Sequence, residues 1–161
     1  MNILNITTGF IEIPNLNTMN IHTVGCSLNC PGCHNPELQN YNHPEAYEIN
    51  IQYLSDKFKE TATLIDGICW MGGEPMDQLQ DLIRINKVIS EEAIIVVYTG
   101  YTMEQILEGP MEEALRYIDI IKTGPWKGIP VTEEGSNQCF YIKEDKGFLK
   151  KTYEELKSLP W

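Results

Sequence analysis

N-I-H-T-V-G-C-S-L-N-C-P-G-C-H-N, residues 20–35, joins a strand-like run to a loop that contains three cysteines. Cys26, Cys30 and Cys33 follow the spacing C-x3-C-x2-C. Three thiolates on one tight loop can bind three irons of a cubane cluster and leave the fourth iron without a protein ligand, whereas clusters that only carry electrons are mostly held by four cysteines. The loop therefore indicates an iron-sulfur cluster at which a substrate can bind.

Three other interpretations of this loop remain open. Cys30-Pro-Gly-Cys33 matches a redox C-x-x-C motif, which leaves Cys26 unexplained. The same residues followed by His34 match a haem c attachment site, which usually requires export. A structural zinc site could combine the three cysteines with His34 or His43. The redox motif predicts no bound group, whereas the other two interpretations predict haem and zinc, so the rest of the chain has to distinguish them.

Length and composition restrict the class of protein. The chain has 161 residues, which suits a single domain over residues 1–161 with a sizeable core. It has no apolar run of the roughly 18 residues that a membrane span needs, and its N-terminus lacks a secretory pattern. We therefore expect a cytoplasmic protein with no membrane partner, whose five cysteines stay reduced and serve metal binding or catalysis. A net charge of −11 argues against a nucleic-acid partner.

The rest of the chain alternates strand-like and helical patterns. Four short apolar runs, each closed by glycine, predict strands at residues 20–24, 67–71, 93–98 and 118–121. Helical periodicity lies between them, at residues 51–58, 77–89 and 103–115, with Gly109-Pro110 expected to kink or split the last helix. This alternation predicts the α/β class with a mainly parallel sheet.

Two further segments extend the predicted sheet. Residues 2–13 could form a hairpin, and residues 138–142 could form another strand. Together the runs predict an open partial barrel or curled sheet. Because ligands bind at the carboxyl ends of parallel strands, we expect the cysteine loop to meet the segments that end the other runs.

Those segments also have ordinary explanations. Residues 72–75, G-G-E-P, could be a simple turn, or could expose backbone to a ligand while Glu74 accepts a hydrogen bond from an ammonium group. Residues 98–101, Y-T-G-Y, could be a strand-to-helix turn or could contact a ligand, and the sequence favours neither. Cys69 and Cys139 are expected to pack in the core, and His22 to be structural. Because the cysteine loop lies one helix upstream, the ligand-binding interpretation of G-G-E-P is the better one.

At this point four motifs resemble one family. C-S-L-N-C-P-G-C-H-N, W-M-G-G-E-P, V-Y-T-G-Y and G-S-N-Q, in this order and at this length, look like the activating protein of anaerobic ribonucleotide reductase, a small radical S-adenosylmethionine enzyme. The resemblance covers residues 24–138. It implies a single-domain partial (β/α) barrel of the radical S-adenosylmethionine type.

The resemblance also implies two cofactors and their ligands. Cys26, Cys30 and Cys33 would hold a 4Fe-4S cluster whose open iron chelates S-adenosylmethionine. Residues beside the cysteines and at two strand ends would contact that cofactor, with Glu74 at the methionyl ammonium and Thr99 near the ribose or adenine. The full set of implied cofactor contacts is Gly32, Cys33, His34, Gly72, Gly73, Glu74 and Thr99.

The implied function is that of an oxidoreductase, a glycyl-radical activating enzyme. A flavodoxin-like donor would supply one electron to cleave S-adenosylmethionine reductively. The resulting 5′-deoxyadenosyl radical would abstract hydrogen from a glycine of anaerobic ribonucleoside-triphosphate reductase, so the partner would be the large glycyl-radical subunit. No catalytic side chain beyond the cluster ligands is expected.

Two other functions also agree with the sequence. Residues 13–20 read I-P-N-L-N-T-M-N where the family usually has G-P-G-x-R, and Thr123 stands where an acidic residue usually precedes the glycine. These departures leave room for a compact radical enzyme that acts on a small molecule, similar to a deazaguanine synthase. From a different class, a zinc-stabilised binding module without catalysis would also use the cysteine loop.

Overall fold

Eight strands form one mixed sheet in the computed structural model, which describes residues 1–161. The strands are β1 (Asn2–Ile13), β2 (Leu16–Thr23), β3 (Tyr47–Glu48), β4 (Gly67–Gly72), β5 (Ile94–Tyr98), β6 (Ile120–Thr123), β7 (Cys139–Glu144) and β8 (Gly147–Lys151). Their spatial order is β3-β1-β2-β4-β5-β6-β7-β8.

Short helices connect the strands. The α-helices are α1 (Ile51–Thr61), α2 (Leu79–Ile89), α3 (Met103–Leu107) and α4 (Tyr153–Leu156), and single stretches of 3-10 helix occupy Pro36–Gln39, Pro75–Gln78 and Pro110–Tyr117. None of these helices has the length and apolar character needed to cross a membrane.

The centre of the sheet is parallel and its edges are antiparallel. β2 pairs in parallel with β4, β4 with β5, and β5 with β6, while β1, β3, β7 and β8 pair antiparallel. This confirms the predicted α/β class and the parallel arrangement of the four glycine-closed runs. Because these four strands point the same way, their carboxyl ends meet at one edge. The closure of the sheet into a partial barrel stays a prediction.

The N-terminal region differs from the predicted hairpin. Residues 2–13 form one long strand, and the hairpin partner is β2, which starts at Leu16. The turn lies at Pro14-Asn15, where Asn15 has a φ of +61°. Asn tolerates this left-handed conformation better than most residues, which lets the chain reverse there. The segment that replaces G-P-G-x-R therefore forms the turn and the first half of β2.

Two predicted helices are divided. Residues 77–89 split into the 3-10 stretch Pro75–Gln78 and α2, and residues 103–115 split at Gly109-Pro110 as expected, because proline cannot donate within the helix. The capping box of α3 forms, with the Gln105 amide donating to the Thr102 hydroxyl at 3.3 Å. The predicted strand at 118–121 lies two residues later, as β6.

Two hydrophobic clusters cover the two faces of the sheet. Alternate residues of β4 and β5 point to opposite sides, so Ile68 and Trp70 join a cluster of 22 buried residues with the helices, while Cys69 joins a smaller cluster of 7 on the other face. Cys69 is buried in the core as predicted. Cys139 is only half-buried, because it begins an edge hairpin.

Candidate iron-sulfur and cofactor site

A cavity of about 580 Å³ lies where the central strands end. It continues over the sheet face that carries the smaller cluster. Eight of the residues predicted for the site line it: Cys26, Cys30, Cys33, His34, Gly72, Gly73, Glu74 and Thr99. Gly32 does not line it. The parallel strands thus bring motifs that are far apart in sequence to one cavity, while the roles of the individual residues stay predictions.

A tight turn separates the second and third cysteines. The amide of Cys33 donates to the carbonyl of Cys30 at 3.2 Å, with Pro31 and Gly32 as the two central residues. Gly32 has a φ of +67°. Proline followed by a residue with positive φ is the pattern of a type II turn, and glycine adopts that conformation without strain. Gly32 therefore shapes the loop without lining the cavity.

The first part of the loop rests directly on the G-G-E-P segment. The amide of Glu74 donates to the carbonyl of Gly25 at 2.8 Å. A Cβ on Gly73 would lie 2.4 Å from that same carbonyl oxygen, closer than a side chain can approach. Gly73 is therefore required by the close contact between the two backbones, which gives a physical reason for glycine at this position.

The three thiols suit a cubane better than a single ion. All three are half-buried and open to the same cavity. No group of three or more His, Cys, Asp or Glu side chains lies close enough to share one metal ion. A cubane binds each thiolate through a different iron and so does not require its ligands to converge on one point. His43, a candidate zinc ligand, does not line the cavity.

Two opposing effects act on the pKa of the Cys26 thiol. Partial burial raises its pKa, and backbone amides of Leu28 and Asn29 oppose this by hydrogen bonding. These amides favour the thiolate, which is the form that binds iron.

Glu74 is a buried carboxyl group that joins two strand ends. Its exposed fraction is 1%. Oε1 accepts from the amide of Met76 at 2.9 Å and from the hydroxyl of Thr99 at 2.8 Å, and Oε2 accepts from the amide of Gly100 at 2.8 Å. Burial raises the pKa of Glu74 to about 7 despite these hydrogen bonds. Oε2 has one partner only, so it retains capacity to accept from a ligand.

The end of β5 touches the cysteine loop. Thr99 is buried, donates to Glu74 and accepts from the amide of Tyr101 at 3.1 Å. A Cβ on Gly100 would lie 2.4 Å from a methyl carbon of Leu28, which belongs to the loop. The Y-T-G-Y segment therefore forms a wall of the cavity.

Lys122 lines the cavity and was not predicted from the sequence. Its Nζ lies 4.5 Å from the ring centroid of Tyr98 and 3.4 Å from Oε1 of Gln138, which belongs to the G-S-N-Q motif. Burial lowers its pKa to about 8. Lys122 makes no ion pair. The sequence does contain one signal for this position, because Lys122 directly follows an apolar strand run.

Trp126 also lines the cavity. Its ring lies 4.2 Å from that of His34, centroid to centroid. The indole N–H groups of Trp70 and Trp161 are hydrogen-bonded, whereas that of Trp126 has no partner in the protein. Trp126 therefore presents a free donor and an aromatic face beside the cysteine loop.

Asp77 is a further residue that the sequence did not indicate. It was expected to begin a helix, but its carboxylate accepts from Ser27 within the cysteine loop. Its partners lie far away in sequence, so no local pattern indicates them.

Taken together, the fold and the three-cysteine cavity suit an iron-sulfur protein with a single cluster site. The chain belongs to the family of 4Fe-4S single cluster domains, whose family model matches residues 18–136. This membership confirms the predicted 4Fe-4S cluster. With the names of the two relatives described next, it also supports S-adenosylmethionine as the second cofactor.

Two curated proteins are similar in sequence. A putative glycyl-radical enzyme activating enzyme of Haemophilus influenzae is 32% identical over 78 residues, which are 48% of this chain and 30% of that protein. The pyruvate formate-lyase-activating enzyme of Clostridium pasteurianum is 26% identical over 144 residues, which are 87% of this chain and 56% of that protein. The chain thus spans about half or less of the length of these relatives.

Proposed function

We propose that the chain is a glycyl-radical activating enzyme. The observation that carries the proposal is the single cavity in which the three cysteines face G-G-E and the end of β5. The names of the two relatives, both activating enzymes, support the same activity. In this proposal residues 1–161 form one radical S-adenosylmethionine domain, a partial barrel, in the cytoplasm.

In this activity the cysteines would bind the cluster, and Glu74 and Thr99 would act on the cofactor. Cys26, Cys30 and Cys33 would hold a 4Fe-4S cluster, which when bound would supply the one electron needed to cleave the sulfonium of S-adenosylmethionine into methionine and a 5′-deoxyadenosyl radical. Glu74 would accept from the methionyl ammonium through Oε2. Thr99 would hold Glu74 in place, so that this acceptor is oriented before the cofactor binds.

Backbone and aromatic groups would complete the cofactor pocket. Gly72 and Gly73 line the cavity and would present their backbone to the amino-acid part of the cofactor, while protein backbone occupies the positions that their side chains would take. Gly32 shapes the loop, and His34 with Trp126 would shield one side from water. A drier cavity strengthens the hydrogen bonds within it and protects a radical from side reactions.

The finer part of the proposal concerns the partners. The hydrogen donor would be a glycine of anaerobic ribonucleoside-triphosphate reductase, and the electron would come from a flavodoxin-like protein. The four ordered motifs support this reductase. The relative from Clostridium pasteurianum, in contrast, is named for pyruvate formate-lyase.

A second candidate function is radical chemistry on a small molecule. The observation in its favour is that the cavity continues beyond the cysteines to Glu12 and Lys122, which provide an acceptor and a donor at its far end. A small polar substrate could occupy that end.

The test is anaerobic reconstitution with iron and sulfide, followed by dithionite and S-adenosylmethionine. We expect a brown protein that forms 5′-deoxyadenosine, and a glycyl-radical electron paramagnetic resonance (EPR) signal when the large reductase subunit is added. Cys30→Ala should abolish 5′-deoxyadenosine, whereas the control Cys139→Ala should leave cluster loading nearly unchanged. A fully loaded protein that cleaves no cofactor would refute the activity. Cleavage without any glycyl radical would favour the small-molecule alternative, and one zinc per chain without visible absorption would favour a binding module.

A further inference from the structure

The carboxylate of Asp77 is a centre of hydrogen bonds beside the cysteine loop. Oδ2 accepts from the amide of Ser27 at 2.7 Å and from the hydroxyl of Tyr41 at 2.5 Å. Oδ1 accepts from the hydroxyl of Ser27 at 3.0 Å and from that of Tyr101 at 2.8 Å. Four donors from three separate segments of the chain therefore converge on one side chain.

These donors connect the loop to the cofactor side of the cavity. Tyr101 follows the end of β5, and its amide donates to the Thr99 hydroxyl, which in turn donates to Glu74. Glu74 lies three residues before Asp77, in the same turn. A continuous path of hydrogen bonds thus runs from Ser27 through Asp77 and Tyr101 to Glu74.

Residues 74–77 form hydrogen bonds to the loop on both sides of Cys26. The amide of Glu74 donates to the carbonyl of Gly25, and the carboxylate of Asp77 binds Ser27. Cys26 lies between these two contacts. Its position relative to Glu74 is therefore set by residues 74–77 rather than by the loop alone.

We propose that Asp77 is a positioning residue, which fixes the Cys26 end of the cluster loop against the strand ends that bind S-adenosylmethionine. The proposal rests on the cysteines binding the cluster and does not depend on the identity of the glycyl-radical partner. A carboxylate suits this role because it accepts at both oxygens, whereas an amide accepts at one only.

The test compares Asp77→Asn with the wild type in the full, anaerobically reconstituted chain. We expect similar initial iron content, because the three thiols remain. A chelator should bleach the visible absorption of the variant about tenfold faster, since hydrogen bonds to a charged group that hold the loop are lost. The EPR spectrum of the reduced cluster should also respond less to added S-adenosylmethionine.

A matched pair of tyrosines provides the control. Tyr41 and Tyr53 have exposed fractions of 51% and 52%, but only the hydroxyl of Tyr41 reaches Asp77. Tyr41→Phe should therefore accelerate bleaching about threefold, and Tyr53→Phe should leave it unchanged. If Asp77→Asn does not fold, Tyr41→Phe and Ser27→Ala decide the question, because each removes a single side-chain donor.

Two results would overturn the proposal. One is bleaching and an EPR response that match the wild type in every variant. The other is a variant whose metal-free form unfolds at lower urea concentration while its cluster behaves normally, since this would limit Asp77 to folding. Neither readout requires radical transfer, so a failure here is distinct from a failure of the proposed activity.

Discussion

Replacing Glu74 with Gln should change how the stability of the metal-free chain depends on pH. Burial raises the pKa of Glu74 from 4.5 to about 7. Between these two pH values the folded state keeps a proton that the unfolded state releases. The free energy of unfolding must then fall as the pH rises through this window, which is the opposite of the behaviour of a carboxylate in an ion pair.

The magnitude follows from the size of the pKa difference. One pKa unit corresponds to about 1.4 kcal/mol, and Glu74 is almost fully buried, so little of the effect is lost to solvent screening. Gln cannot ionise. The stability of the wild type relative to Glu74→Gln should therefore decrease by roughly 2 to 3 kcal/mol between about pH 5 and about pH 8.

The assay is urea denaturation followed by tryptophan fluorescence at several pH values. The difference between the two proteins removes the contributions of groups that both share, such as His22 and Lys122. Glu108→Gln, at an exposed position without a side-chain hydrogen bond, serves as the control for the removal of one carboxyl group. A difference between wild type and Glu74→Gln that does not vary with pH would refute the reasoning that burial dominates the energetics of this carboxyl.

Three further substitutions test other parts of the structure. Gly73→Ala should destabilise the metal-free chain by about 1 to 3 kcal/mol through overpacking, measured by urea denaturation; an unchanged midpoint would contradict the close contact with the loop. Trp126→Ala should weaken binding of S-adenosylmethionine about three- to tenfold, measured by titration of the reduced cluster's EPR signal, and equal affinity would exclude a role of the indole in shielding the cofactor pocket. Asn86→Leu should cost about 1 to 3 kcal/mol, because the buried indole N–H of Trp70 loses its acceptor at 2.8 Å. Adding Trp70→Phe to it should then cost less than the sum of the single changes in a double-mutant cycle, and strict additivity would count against the pair.

The sequence predicted the parallel centre of the sheet because each of its strands carries two independent signals. An apolar run predicts the strand, and the glycine that follows predicts where it ends. The edges lack such signals. The turn at Pro14-Asn15 is not one of the dipeptides typical of tight hairpins, so the start of β2 at Leu16 was missed.

The site was predictable to the extent that its residues lie in motifs. The cysteines and G-G-E-P are contiguous in sequence, and the direction of the strands was sufficient to bring them together. Asp77 and Lys122 were missed for a different reason. Their importance comes from partners such as Tyr101 and Gln138, which only the folded chain places beside them.

The hydrogen bonds of Glu74 have a consequence for the order of assembly. They connect Thr99, Gly100 and Met76 through protein atoms alone, so the wall opposite the cysteines needs no metal to form. Loading of the cluster would then have to immobilise only the part of the loop beyond Ser27, because Glu74 and Asp77 already hold residues 25–27. The entropy lost at that moment is confined to a few residues, because the rest of the site is already ordered by folding. On this basis we expect cluster insertion to be separable from folding, so that a delay in iron supply would leave a folded chain that can still take up the cluster.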